Sequence, residues 1–107
     1  MKGDNLGEFE ELVLLAVRGL QPEATGAGIQ ELLARQARRR PALGAIYAAL
    51  DRAQRKGLIR SWLGEPTPVA GGRARRHYGV TPEGESALRE TRRIRERLWE
   101  EAPKAAL

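Results

Sequence analysis

Apolar residues recur at helical spacing in three successive blocks, then alternate briefly, then return to helical spacing. In the first block, residues 5–20, Leu6, Phe9, Val13, Ala16 and Leu20 form one stripe. Leu12, Leu14, Leu15 and Val17 widen it until the helix is apolar almost all round. Such a helix is buried on more than one side, and the second side is a candidate subunit surface. Asn5 is expected to cap it, with Glu8 three positions on completing a capping box. Gln21-Pro22-Glu23-Ala24 breaks the pattern. Thr25 can cap a second helix to about Arg38, with Ile29, Leu32, Leu33 and Ala37 as its stripe. Gly26 and Gly28 weaken helix propensity there but permit close approach of another helix or a phosphate.

The third block, residues 42–56, carries a predicted core stripe of Leu43, Ile46, Leu50 and Ala53. Gly57 suits a C-terminal stop, and Lys56 suits the negative end of the helix dipole. Residues 58–63 alternate as a short strand, and residues 65–72 form a loop with two Pro and two Gly. Residues 73–80 return as a second strand, with Tyr78 and Val80 on one face. Thr81-Pro82 then reads as an N-cap followed by Pro in the first helical position. In the last helix Ala87, Thr91, Ile94 and Leu98 stand at 4-3-4 spacing, a short coiled-coil-like seam flanked by Leu88 and Trp99. The predicted fold is mainly α with a small β-hairpin: a winged helix-turn-helix over residues 1–80, a dimerisation helix over 81–101, and a frayed tail over 102–107. No internal repeat is present.

At 107 residues the chain is expected to be one domain with a modest core, for which self-association matters. The absence of cysteine excludes disulfides, thiolate chemistry and Cys-based metal sites. The start MKGDNLGEFEE has no apolar signal core, and no apolar run approaches the roughly 18 residues of a membrane span. A soluble cytoplasmic protein is expected. Charge is strongly segregated: residues 1–34 carry net −4, residues 35–76 net +9, and residues 77–107 net zero. A central segment so positive suits phosphate neutralisation. Of the 19 basic residues, 16 are Arg, whose planar fork fits phosphates and guanine edges.

At about 100° per residue, Gly44, Ala48, Asp51, Arg52 and Arg55 lie opposite the core stripe of the third helix, with Ala45 and Tyr47 at its borders. Small side chains let a helix sit deep in the major groove, and an Ala methyl can touch a thymine methyl. Arg52 and Arg55 reach phosphates or base edges, and the Tyr47 hydroxyl suits a phosphate. The same pattern also fits a solvated face whose Ala residues serve helix propensity. Arg73, Arg75 and Arg76 surround the hairpin tip, where they suit DNA backbone or the minor groove, or else form a charged edge that discourages strand pairing. Arg39 and Arg40 in the basic corner before Pro41 extend the same sign. His77, a lone histidine, reads as a strand residue or phosphate contact, not a metal ligand. Phe9, Leu12, Leu15, Thr91, Ile94 and Leu98 are the candidate dimer interface; Trp99 reads as a further interface side chain or, alternatively, as an aromatic wall for a planar ligand between subunits. One His and no Cys support no triad or thiol chemistry, so no enzyme is expected. GGRAR lacks the Gly spacing and terminal Lys-Ser/Thr of a P-loop, and no cofactor is expected.

LGEFEELVLLAV (6–17), GAIYAALDRAQRKGLI (44–59) and EPTPVAGGRARRHYGVTPEG (65–84) resemble, in the right order, the motifs of the PadR family of bacterial transcriptional regulators. The resemblance implies a winged helix-turn-helix dimer on palindromic operators, usually a repressor. It further implies that the C-terminal helix packs on the partner's N-terminal helix, and that Tyr47, Arg73 and Arg76 face DNA. Some short members of the family bind planar aromatic compounds at the dimer interface beside a Trp, and Trp99 is similar in place. Departures are Ala27, where an aromatic is common; Ala53-Gln54 in place of Leu-Glu; and Ala70, where Arg often precedes the paired Gly. The reading is a dimeric, sequence-specific DNA-binding repressor, with relief by a small aromatic effector compatible with it. The alternative is a winged-helix protein-interaction module without specific DNA binding.

Overall fold

A computed structural model describes residues 6–65 and 74–106, with side chains through residue 101. The elements follow as α1 (Glu8–Leu20), α2 (Gly26–Gln36), α3 (Leu43–Arg55), β1 (Ile59–Leu63), β2 (Arg76–Val80) and α4 (Pro82–Ala106). The amphipathic blocks bury one shared core: Val13, Leu14, Ala16 and Val17 of α1, Ile29 and Leu33 of α2, and Ile46, Ala49, Leu50 and Ala53 of α3. Ile59, Tyr78 and Leu88 close it from the hairpin and α4. α1 packs against α2, α3, β2 and α4, which explains why it is apolar on more than one side.

Local signals set most of the boundaries. Thr25 Oγ1 accepts the Gly28 N–H at 3.1 Å and caps α2, as the sequence predicts. Gly57 takes φ +80°, the left-handed conformation that ends a helix and that a Cβ disfavours. The strands pair antiparallel from Ile59↔Val80 to Leu63↔Arg76. Thr81 seals their open end: its hydroxyl donates to Gly57 O at 2.7 Å and accepts the Gly84 N–H at 3.0 Å, capping α4. Residues 65–72, expected as the loop, and Arg73 lie outside the described residues, apart from Glu65.

Four expectations are corrected. α1 starts at Glu8 with Gly7 at its N-cap, and the expected cap Asn5 lies outside the described residues; the Glu8 carboxylate is drawn to Arg39, at 2.8 Å, instead of closing a capping box. α2 ends at Gln36, because Arg38 turns the chain with φ +54° and sends the Arg39 N–H back to Leu33 O at 3.3 Å. Leu43 is 39% exposed: the first turn of α3 projects beyond the core, and Ala49 fills the buried face instead. The backbone of α4 stays helical through Ala106 instead of ending at residue 101.

Three carboxylates in the first turn of α1 each clamp a different part of the chain. Glu8 holds Arg39 after α2, and Glu10 holds Lys56 at the end of α3 at 3.1 Å. Glu11 holds Arg95 of α4 at 2.6 Å, and this hydrogen bond, with its charge, raises the Arg95 pKa above its usual value. At the other end of α1, Arg18 meets Glu85 at 3.0 Å, so α4 runs antiparallel to α1. Much of the negative charge of the first 34 residues is therefore spent on tertiary contacts. Beyond Thr91, every described side chain of α4 is exposed. The helix, about 37 Å long at 1.5 Å per residue, gives the chain its 60 × 30 × 20 Å outline.

Candidate nucleic-acid interface

The outward surface of α3 is built from the residues its periodicity places there. Gly44, Ala45, Tyr47 and Ala48 are exposed along the first two turns, and Asp51, Arg52 and Arg55 along the next. The first half is thus a nearly bare cylinder and the second half is long and charged. Arg55 pairs with Asp51 at 2.9 Å one turn back. Arg52 has no carboxylate partner among the described residues.

The hairpin stands beside this surface. Tyr47, Leu50, Asp51 and Gln54 of α3 face Ser61, Arg76 and Tyr78 across a cleft of about 290 Å³. Arg76 Nη1 donates to Ser61 Oγ at 3.0 Å, and Ser61 Oγ donates to Gln54 Oε1 at 3.1 Å. Tyr78 is buried, and burial pushes its pKa up; Tyr47 adds to the rise and Arg76 opposes it. The Tyr78 N–H donates to Ala24 O at 3.0 Å, an antiparallel bridge that ties the hairpin to the turn before α2. Gly26 lets the Tyr47 ring lie on the start of α2, for a Cβ there would collide with the ring and its hydroxyl. One residue without a side chain therefore fixes the aromatic at the centre of the surface.

The expected basic residues divide into two groups. Arg76 enters the cleft, and Arg75 is exposed beside it, with its carbonyl accepting the Gly64 N–H at 2.7 Å. Arg39 is held against α1, its guanidinium 5.4 Å from the Phe9 ring centroid and bonded to Glu8. Arg40 is held at α2 by Glu31 at 3.1 Å and Gln30 at 3.4 Å. Exposed pairs of this kind contribute about 0–1 kcal/mol, so a phosphate can compete for either cation. Arg73 lies outside the described residues.

Sequence reasoning missed the hairpin's outer face. There the Arg60 guanidinium sits 5.0 Å from the Trp62 ring centroid, and Trp62 stacks on His77 at 6.2 Å and 17°. His77 is thus a strand residue braced by an aromatic. The signal was available: Arg60 and Trp62 alternate with buried Ile59, and the hairpin register sets His77 opposite Trp62.

Apolar side chains are exposed elsewhere too. Leu15 is 45%, Ile94 38%, Leu98 66% and Trp99 75% exposed, while Thr91, Phe9 and Leu12 are half-buried. Phe9 and Leu12 pack against the protein's own core. A groove of about 560 Å³ between α1 and α4 is lined by Leu15, Leu88 and Trp99 with Glu11, Arg18 and Arg95. Another, of about 470 Å³ and bordered by Leu58, Ala87, Thr91 and Ile94, also flanks α4.

Three helices, a two-stranded wing tied back to the turn before α2, and a bare-faced third helix beside a basic strand define a winged-helix transcription regulator. The transcriptional regulator PadR-like family model matches residues 14–90, and the chain belongs to that family. Its members are transcriptional regulators, not enzymes, and such regulators bind DNA. A PadR-like transcription factor from Bacteroides fragilis superposes with TM-score 0.74 and 25% identity, covering 91% of this chain and 88% of that one. A PadR family transcriptional regulator from Eggerthella lenta gives TM-score 0.71 and 25% identity over 92% and 86%. A PadR-like transcriptional regulator from Bacillus cereus shares the fold at TM-score 0.73 and 22% identity, over 92% and 90%. Among curated proteins no significant match is found. No helix among the described residues is long and apolar enough to cross a membrane.

Proposed function

We propose that this chain is a dimeric, sequence-specific DNA-binding repressor. The observation that carries the reading is the surface shared by α3 and the wing. Gly44, Ala45 and Ala48 leave room for the major-groove floor, while Arg52, Arg55 and Arg76 stand where the flanking phosphates pass. Tyr47 offers its hydroxyl to a phosphate, and Arg75 extends the wing's grip along the backbone. Arg73 is proposed as a wing contact alongside Arg76, and Arg39 and Arg40 as secondary contacts. A dimer is supported by the exposed stripe of Ile94, Leu98 and Trp99 and by Leu15 on the neighbouring helix, which water would otherwise cover. In this dimer Thr91, Phe9 and Leu12 border the contact. Two-fold symmetry sets the paired α3 helices roughly 34 Å apart, one DNA turn. A dimer seated on a promoter denies that duplex to other proteins, which is repression; the cytoplasm is where the duplex is met. Trp99 in its groove suits a planar aromatic effector that shifts the spacing of the two halves.

Selecting bound duplexes from a random-sequence pool at near-physiological salt tests this reading. An inverted repeat with half-site centres about 10 base pairs apart is expected. A pool left unenriched in any repeat contradicts sequence-specific dimeric binding.

A further inference from the structure

The hydrogen-bonded chain across the cleft does something that none of its members does alone. It begins at Arg76 on β2, passes through Ser61 on β1 and ends at Gln54 on α3. Ser61 uses both functions of its hydroxyl: it accepts from the guanidinium at 3.0 Å and donates to the amide oxygen at 3.1 Å. The direction is fixed, because a guanidinium only donates and the Gln54 carbonyl oxygen only accepts. One N–H of Arg76 is spent on this bond, and the guanidinium has others with which to meet an anion. Without the chain, a long flexible side chain on a strand would sample many rotamers, and its ordering would oppose binding.

We infer that Ser61 and Gln54 are positioning residues that lock the wing's Arg76 to the register of α3, so that backbone grip and base reading engage together. The inference rests on the DNA-binding reading above. Its physical content is pre-organisation: Ser61 and Gln54 carry no charge to the duplex and act only through Arg76. Ser61 lies directly opposite Tyr78 in the hairpin, so its hydroxyl is held on the face that looks into the cleft. Gln54 sits on the turn of α3 after Leu50, beyond the bare segment, which places the anchor away from the groove floor.

A double-mutant cycle with a duplex recovered from the random pool tests it, read by fluorescence anisotropy across a salt series. Ser61→Ala is expected to weaken binding roughly threefold to tenfold, with little change in the salt slope, because the cation remains. Arg76→Ala is expected to reduce the slope by about two, one for each protomer of the dimer. In the Arg76→Ala background, Ser61→Ala should change affinity by less than about twofold. Ser61→Thr should bind like the parent, and thermal melting of each variant checks that the fold is intact. Equal losses from Ser61→Ala in both backgrounds would overturn the inference and leave the DNA reading standing. No effect of Arg76→Ala itself would remove Arg76 from the DNA contact, a failure of that assignment separate from the failure of the hydrogen-bonded chain.

Discussion

Replacing Arg52 by Ala removes a cation that faces outward from α3 with no carboxylate to satisfy it among the described residues. Its neighbour Arg55 is already bonded to Asp51 at 2.9 Å. The two arginines should therefore behave differently, although both point away from the core. A lost phosphate contact flattens the plot of log affinity against log salt by about 0.9. A dimer carries Arg52 twice, so Arg52→Ala should flatten the slope by about 1.8, and the ratio of parent to variant affinity should shrink about 12-fold between roughly 50 and 200 mM salt. Arg55→Ala should give a smaller change in slope, since Arg55 must leave Asp51 to reach a phosphate. Asp51→Asn should act in the opposite sense, raising affinity for all sequences and steepening the slope as Arg55 is released. The assay is anisotropy of a labelled duplex over a salt series. Equal slopes for the parent and Arg52→Ala would refute the placement of this face against DNA. A drop in affinity with Asp51→Asn would instead refute the release of Arg55 and assign Asp51 a hydrogen bond from a base, since a carboxylate can take the N4 protons of cytosine.

Other consequences are open to direct measurement. Lys56→Ala strands the buried Glu10 carboxylate, 7% exposed, and should lower stability by about 1.5–3 kcal/mol in denaturant titration; a loss near zero would mean water takes the partner's place. Gly26→Ala sets a Cβ into the Tyr47 ring and should cost about 1–3 kcal/mol, yet be neutral or stabilising in a Tyr47→Ala background. A penalty that persists without the ring would refute that contact. Leu98→Glu should shift sedimentation from dimer to monomer while the melting temperature of the helical core changes little; an unshifted dimer would clear α4 of the interface. Tyr78 binds its proton more tightly folded than unfolded, so stability should fall as pH rises past its ordinary value of 10.0. Tyr78→Phe should lose that alkaline dependence, as melting followed by circular dichroism would report.

The order of the elements was legible because its signals are local. Thr25, Gly57 and the Thr81-Pro82 pair act on the backbone within a few residues, so the spacing of letters carries them. The exposed face of α3 was legible for the same reason: rotation about one axis separates Ile46, Leu50 and Ala53 from Gly44, Ala48, Arg52 and Arg55. Leu43 escaped this logic, because a helical stripe does not say where the neighbouring helices stop. The ion pairs escaped it more completely. Glu8 meets Arg39 across 31 positions, Glu10 meets Lys56 across 46 and Glu11 meets Arg95 across 84. Charge segregation marked the chain's centre as basic, but two of the expected DNA-facing arginines, Arg39 and Arg40, turn out to be engaged by α1 and α2. The Arg76–Ser61–Gln54 chain depends on hairpin register and on how the wing docks, and neither is written in a periodicity.

Hydroxyl-radical footprinting of the selected duplex, with the stoichiometry of the same complex measured by sedimentation, addresses most directly whether two copies present their third helices to one double helix. Two protected patches about 10 base pairs apart, with two chains per duplex, are expected. A single patch, or one chain per duplex at saturation, would contradict the account.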